Sequence, residues 1–256
     1  MSPSTSSNLV LASCLLSVAL AAAKLVAAAM TGSGAVLAEF IHSIAVATSQ
    51  ALLLIAMRRV AAAPEAKAAP RALGELRFWA LVVPMLVYSL GSGVALNEGT
   101  AWLQAPRVLT EVPSGLIILA VLLAVQAALA MAIQRRARES DTVHRTVYYA
   151  LTTQSTAALA GLGATLSGLA AAYTFDTNES DALAAVTVGL IMGGVAAMMA
   201  LAIRKVLQDT PMPDAAALPA PETEGLPPVS PPEAIAAQRA AHRNHPPPKH
   251  GRRKRR

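Results

Sequence analysis

Polar residues are so sparse along this chain that its long apolar runs, rather than any alternation inside them, carry the structural signal. Six stretches of about 20 or more residues hold at most one or two Lys, Arg, Asp or Glu, roughly 9–30, 34–57, 78–96, 113–134, 147–173 and 182–203. A helix of about 20 residues, rising 1.5 Å per residue, covers the hydrocarbon thickness of a bilayer. The period-two pattern of strands is absent. The runs are built from Ala, Leu, Val and Gly, so helices rather than a barrel must satisfy the backbone in lipid. The pattern predicts an all-α fold, a six-helix transmembrane bundle over residues 1–207, followed by a separate tail over 208–256.

The connections sharpen this. No Lys or Arg precedes the first run and Lys24 interrupts it, which predicts a retained helix rather than a cleaved signal. Short links at 31–33 and 174–181 predict antiparallel hairpins of helices one and two and of helices five and six. In "RRVAAAPEAKAAPRALGELR", Pro64 and Pro70 limit any continuous helix. Gly189, Gly193 and Ala197 form a small-residue stripe on helix six, and Ala160, Ala164, Gly168 and Ala172 one on helix five. Such stripes let backbones approach closely within a chain or across a dimer; in so Ala-rich a chain they also arise by chance.

Composition agrees with the runs: 54% of the 256 residues are hydrophobic and only 14% charged, too apolar for a soluble domain of this size. Basic residues fix the orientation. Arg58, Arg59, Lys67, Arg71 and Arg77 lie between helices two and three, Arg135, Arg136, Arg138 and Arg145 between four and five, and Arg204 and Lys205 after six. The alternate connections hold only Arg107, so the positive-inside rule places both termini in the cytoplasm. The net charge of +6 then belongs to cytoplasmic loops and tail, and no nucleic-acid partner is expected. From about Gln208 the chain is Pro-rich and lacks aromatics, which predicts disorder; its terminal "RRKRR" is expected to be drawn to anionic headgroups. His242, His245 and His250 read as part of a solvated tail rather than a metal site. The lone Cys14 excludes an intrachain disulfide. With no clustered acids, nucleophile–base pair or phosphate loop, an enzyme is not expected.

Candidate chemistry lies inside the runs. A charge near mid-bilayer costs about 2.5–3.5 kcal/mol on insertion scales, so Lys24, Glu39 and His42 each need a partner or a task. Lys24 and Glu39 sit at similar distances on either side of the 31–33 link, hence at similar depth on neighbouring helices. Either they form an ion pair, or Glu39 is free to be a ligand. His42 lies three residues after Glu39 on the same helix face. Its imidazole suits metal ligation or proton exchange; the alternative is a hydrogen bond to a neighbouring Ser or Thr.

The stretch "TGSGAVLAEFIHSIAVATSQALLLIAMRR" resembles the second-helix signature of the cation diffusion facilitator family. "RFWALVVPMLVYSLGSGVALNEGTAWLQAP", with Glu98 and Gly99, resembles its third helix, "STAALAGLGATLSGLAAAYT" its fifth and "DALAAVTVGLIMGG" its sixth, in order over roughly residues 8–205. The resemblance implies a multi-pass transporter of a bacterial inner (plasma) membrane, in contact with membrane lipid. It implies efflux of divalent cations such as zinc, manganese, iron, cobalt or cadmium in exchange for protons, the metal being substrate and no cofactor being needed. It also implies a homodimer, or a heteromer with a paralogue. The family's transport site takes two ligands from helix two and two from helix five, each pair spaced i, i+4. Here His42 is followed by Val46, and the matching helix-five positions fall at Leu151 and Ser155, with Gln154 beside them. The metal-site residues expected are therefore His42, Glu39, Ser155 and Gln154, with Thr156 nearby; Val46 and Leu151 stand where ligands are expected. Asp181 and Glu98 at the outer ends either attract the exiting cation or are ordinary interfacial acids. The tail is too short and Pro-rich for the folded metal-binding domain many members carry there. The missing ligands raise a second expectation, a transport-inactive relative that serves as partner or scaffold for a ligand-complete transporter.

Overall fold

A computed structural model describes residues 3–61, 74–138 and 145–209. The connection with Pro64 and Pro70 and the tail with His242, His245, His250 and "RRKRR" lie outside the described residues. The described chain is six helices with no strand: α1 (Pro3–Thr31), α2 (Gly34–Ala61), α3 (Gly74–Gln104), α4 (Val112–Arg138), α5 (Arg145–Phe175) and α6 (Glu179–Asp209). All six are long and apolar enough to span a membrane. They overrun the apolar runs by up to about two turns at either end, because Ala, Arg, Gln and Leu in the flanks are good helix formers and need no lipid to stay helical.

Helix α3 carries the one distortion that its sequence demands. Over Phe78–Val82 the backbone widens into a π turn, with the Val83 N–H bonded to the Phe78 carbonyl. Pro84 follows; it has no N–H and its ring collides with a regular preceding turn, which the extra residue relieves.

Helix α2 is the hub, packed on α1, α3, α5 and α6, while α4 closes the bundle against α1 and α5. The most extensive contact joins α3 to α6. It is reciprocal: Gly91 and Gly99 of α3 receive Met192 and Val186, while Gly189 and Gly193 of α6 receive Leu96 and Ser92. The Ser92 hydroxyl donates to the Gly189 carbonyl at 2.7 Å. The helix-six stripe thus serves packing within the chain at Gly189 and Gly193, and Gly168 of the helix-five stripe packs on Ala184 of α6. Ala197 and Ala160, the ends of those stripes, are exposed.

Apart from Lys24, the described cations sort to the two ends as the positive-inside rule requires. Arg58 and Arg59 end α2, Arg77 lies in the first turns of α3, Arg135, Arg136 and Arg138 end α4, Arg145 begins α5, and Arg204 and Lys205 lie in the last turns of α6. At the opposite, outer end only Arg107 appears, stacked 5.0 Å over the Trp102 ring. That end is closed by short connections. Gly32 takes a left-handed φ of +66° to terminate α1, and the Thr110 N–H and hydroxyl bond the Thr31 and Met30 carbonyls at 3.0 and 2.7 Å.

Candidate functional site

The hairpin of α1 and α2 brings the three intramembrane ionisable groups together. Lys24 Nζ lies 2.6 Å from Glu39 Oε2 and donates to Ser43 Oγ at 2.7 Å. His42 Nδ1 lies 3.1 Å from the other carboxylate oxygen, Glu39 Oε1. Lys24 is 1% exposed, and Glu39 and His42 are 0% exposed. The ion-pair alternative is therefore the one adopted. The histidine bonds a carboxylate rather than a Ser or Thr.

Both oxygens of Glu39 are thus occupied, one by an ammonium and one by an imidazole. An ionised carboxylate only accepts, so Nδ1 supplies the hydrogen of its bond and a neutral His42 presents a lone pair at Nε2. That nitrogen is buried and has no hydrogen-bond partner. Tyr88 of α3 packs its ring edgewise on the imidazole, centroids 5.5 Å apart at 74°. Gly161 of α5 forms the opposite wall: a Cβ there would overlap Glu39 Oε1 and lie 3.3 Å from His42 Nδ1. Lys24 from α1, Glu39 and His42 from α2, Tyr88 from α3 and Gly161 from α5 build one closed polar nest in the apolar bundle.

The helix-five residues expected at the site lie nearer the start of α5 than Gly161. Gln154 and Ser155 are buried, 2% and 4% exposed, but precede Gly161 by seven and six residues, about 9–10 Å along the helix axis. Ser155 Oγ donates to the Thr152 carbonyl at 3.1 Å, and Gln154 Oε1 is buried without a partner. Thr156 is exposed and bonds the Thr152 and Thr153 carbonyls. Val46 and Leu151 belong to the main apolar cluster, 6% and 1% exposed. No group of three or more His, Cys, Asp or Glu able to hold a metal occurs among the described residues.

At the outer end Asp181 is committed to structure. Its Oδ1 accepts from Ser33 Oγ at 2.5 Å, and its Oδ2 from the Gly34 and Ala35 N–H groups at 2.7 and 3.4 Å. It neutralises the orphan donors at the start of α2, joining α6 to the helix that carries the site. Glu98, half-buried on α3, stands beside Gly99, whose missing Cβ admits Val186. The sequence hid three of these roles. Gly161 sits one residue off the small-residue stripe, Ser43 is one of many Ser in the apolar runs, and Asp181 reads equally as a cation-attracting or an interfacial acid.

Six helices able to span a membrane around a buried cationic and carboxylate nest, with cations gathered at one end, define a multi-pass membrane protein. The chain matches the cation efflux transmembrane domain over residues 10–207 and belongs to that family of membrane cation transporters. No curated protein matches it closely.

Proposed function

We infer that the protein moves a divalent first-row or related cation, such as zinc, manganese, iron, cobalt or cadmium, across a bacterial inner membrane in exchange for protons, as a homodimer. The observation that carries this is the poise of His42. Its Nδ1 is tied to Glu39, and its Nε2 is buried without a partner. A carboxylate holding one imidazole nitrogen fixes the tautomer and orients the other toward a metal, the arrangement found behind many histidine ligands. Glu39 thus acts from behind His42, and becomes a direct ligand only by releasing Lys24. Gln154 and Ser155 reach the cation after a movement of α5 against α2, the kind of rocking by which such carriers alternate access. In the proton-loaded state Nε2 carries a second proton; metal ligation requires that nitrogen deprotonated, so cation entry displaces this proton and its return completes the exchange.

Purified protein in proteoliposomes, with internal metal and pH probes, tests this. Inward metal steps are expected to drive opposite proton flux that His42→Ala abolishes. Absence of flux with every one of those ions, or flux indifferent to His42→Ala, defeats it.

A second reading, a transport-inactive partner of a ligand-complete relative, is favoured by the apolar burial of Val46 and Leu151 at expected ligand positions. A divalent ion leaving water needs several anionic or imidazole ligands, which one histidine does not supply. Copurification of a second cation efflux protein, together with inert proteoliposomes, is its expected outcome. Flux by the purified chain alone removes it.

A further inference from the structure

At the basic end of the bundle, the start of α5 and the last turns of α6 diverge and leave a groove of about 660 Å³ that has no part in the site above. Its floor and one wall are apolar: Leu81 from the π turn of α3, with Met198, Leu201 and Ala202 of α6. Lys205 continues that wall, so Met198, Leu201, Ala202 and Lys205 follow the i, i+3, i+4, i+7 spacing of one helix face. The facing wall is Arg145, Thr146 and Tyr149. Two cations and a hydroxyl thus stand at the end of the groove nearer the helix termini. No acid is among the described residues that line it.

The polarity gradient matches the bilayer. Met198 and Leu201 lie 47% and 63% exposed toward lipid depth, whereas Arg145 and Lys205 lie at the end that carries the bundle's cations, the level of cytoplasmic headgroups. Tyr149, 39% exposed, sits between the two as interfacial aromatics do. The volume falls within the range of about 300–1,000 Å³ typical of pockets for small molecules.

We propose that this groove binds an anionic phospholipid of the cytoplasmic leaflet, its phosphate held by Arg145 and Lys205 with the Thr146 hydroxyl, and its acyl chain laid along Leu81, Met198 and Leu201. The lipid bridges α3, α5 and α6 at their cytoplasmic ends and steadies α5, the helix whose opposite half walls His42.

The test is native mass spectrometry of the full-length protein, released from nanodiscs of equal phosphatidylglycerol and phosphatidylcholine, for wild type, the pair Arg145→Gln/Lys205→Gln, and the pair Arg58→Gln/Arg59→Gln. The last pair removes the same charge from the same end but outside the groove. Wild type is expected to retain phosphatidylglycerol preferentially. The groove pair should lose that preference on the order of tenfold, since each cation near the surface contributes several-fold, while the Arg58/Arg59 pair should keep it. Equal loss in both pairs, or no preference in wild type, overturns the proposal. A groove pair that fails to fold would show as loss of the thermal transition; Lys205→Gln alone, expected to lose several-fold, then stands in for it. Displacement of the lipid by millimolar inorganic phosphate, with the acyl chain contributing nothing, would also overturn it. Because the readout is retained lipid, it stands whether or not metal flux is found.

Discussion

Two tiers of the same helix face, one turn apart on α2, have opposite characters. The outer tier holds Glu39, His42 and Ser43: Lys24 bonds Glu39 and Ser43 at 2.6 and 2.7 Å, and His42 lies 3.1 Å from Glu39. The tier below it holds Val46, packed in the main apolar cluster that also contains Leu151 and Leu53. In the first, polar groups are tolerable because each charge answers another; an uncompensated ion in a low-dielectric interior is far costlier than a paired one. In the second, no charge is present to be answered.

Removing one member of the outer tier should separate the tiers most sharply. Lys24→Ala leaves the Glu39 carboxylate buried without its ammonium and should cost about 3–5 kcal/mol, the usual penalty for breaking a buried pair. Equilibrium unfolding in detergent reads this directly. Replacing both partners with apolar residues, Lys24→Met with Glu39→Leu, should cost clearly less than the single change. If the double variant is worse, the pair contributes net stability rather than mutual tolerance.

The lower tier is challenged by Val46→Asp, which introduces a carboxylate four residues from His42 on the same face. Without metal it should destabilise by about 1–3 kcal/mol or more, as an unsatisfied buried polar group does. Zinc should recover part of that loss if the two side chains share the ion, which a thermal shift with and without zinc measures. The same shift in wild type should be smaller.

Gly161→Val tests whether the α5 wall fixes the outer tier. The branched side chain would overlap the Glu39 carboxylate, and overpacking of this kind costs about 1–3 kcal/mol. The change should also displace Glu39 from His42, visible as an altered imidazole nitrogen resonance in labelled protein. Asp181→Ala removes the carboxylate that caps α2 from α6 and should cost about 0.5–2 kcal/mol, with Asp181→Asn recovering part. Ser43→Ala removes one of two acceptors of Lys24 and should cost about 1 kcal/mol, the least of the series. A larger Ser43 effect would mean that the hydroxyl, not Glu39, holds the ammonium in place.

Much of the architecture was legible because lipid leaves the backbone few choices. A run of twenty apolar residues has to be a helix there, and the location of Arg and Lys orients it. The depth match of Lys24 and Glu39 was also legible, since a three-residue link sets two helices in near register. Helix ends were not, because the flanks of α3 and α6 continue as helix beyond their apolar runs. The helix-five half of the site was the least legible. The family resemblance puts Leu151 and Ser155 at the expected ligand positions, with Gln154 beside them, yet the residue that faces Glu39 and His42 is Gly161, which carries no side chain to announce itself.

The sequence by itself determined how many times the chain crosses a membrane, which end carries the cations and which three ionisable groups lie in lipid, because hydropathy and charge act locally and leave a linear record. The tertiary structure alone decided that Glu39 spends its two oxygens on Lys24 and His42, that Asp181 caps a helix rather than offering itself to solvent, and that Gly161 closes the nest. Those outcomes depend on the axial offset and rotation of one helix against another. Such offsets are set by where small residues let backbones meet, and no single run of sequence records them.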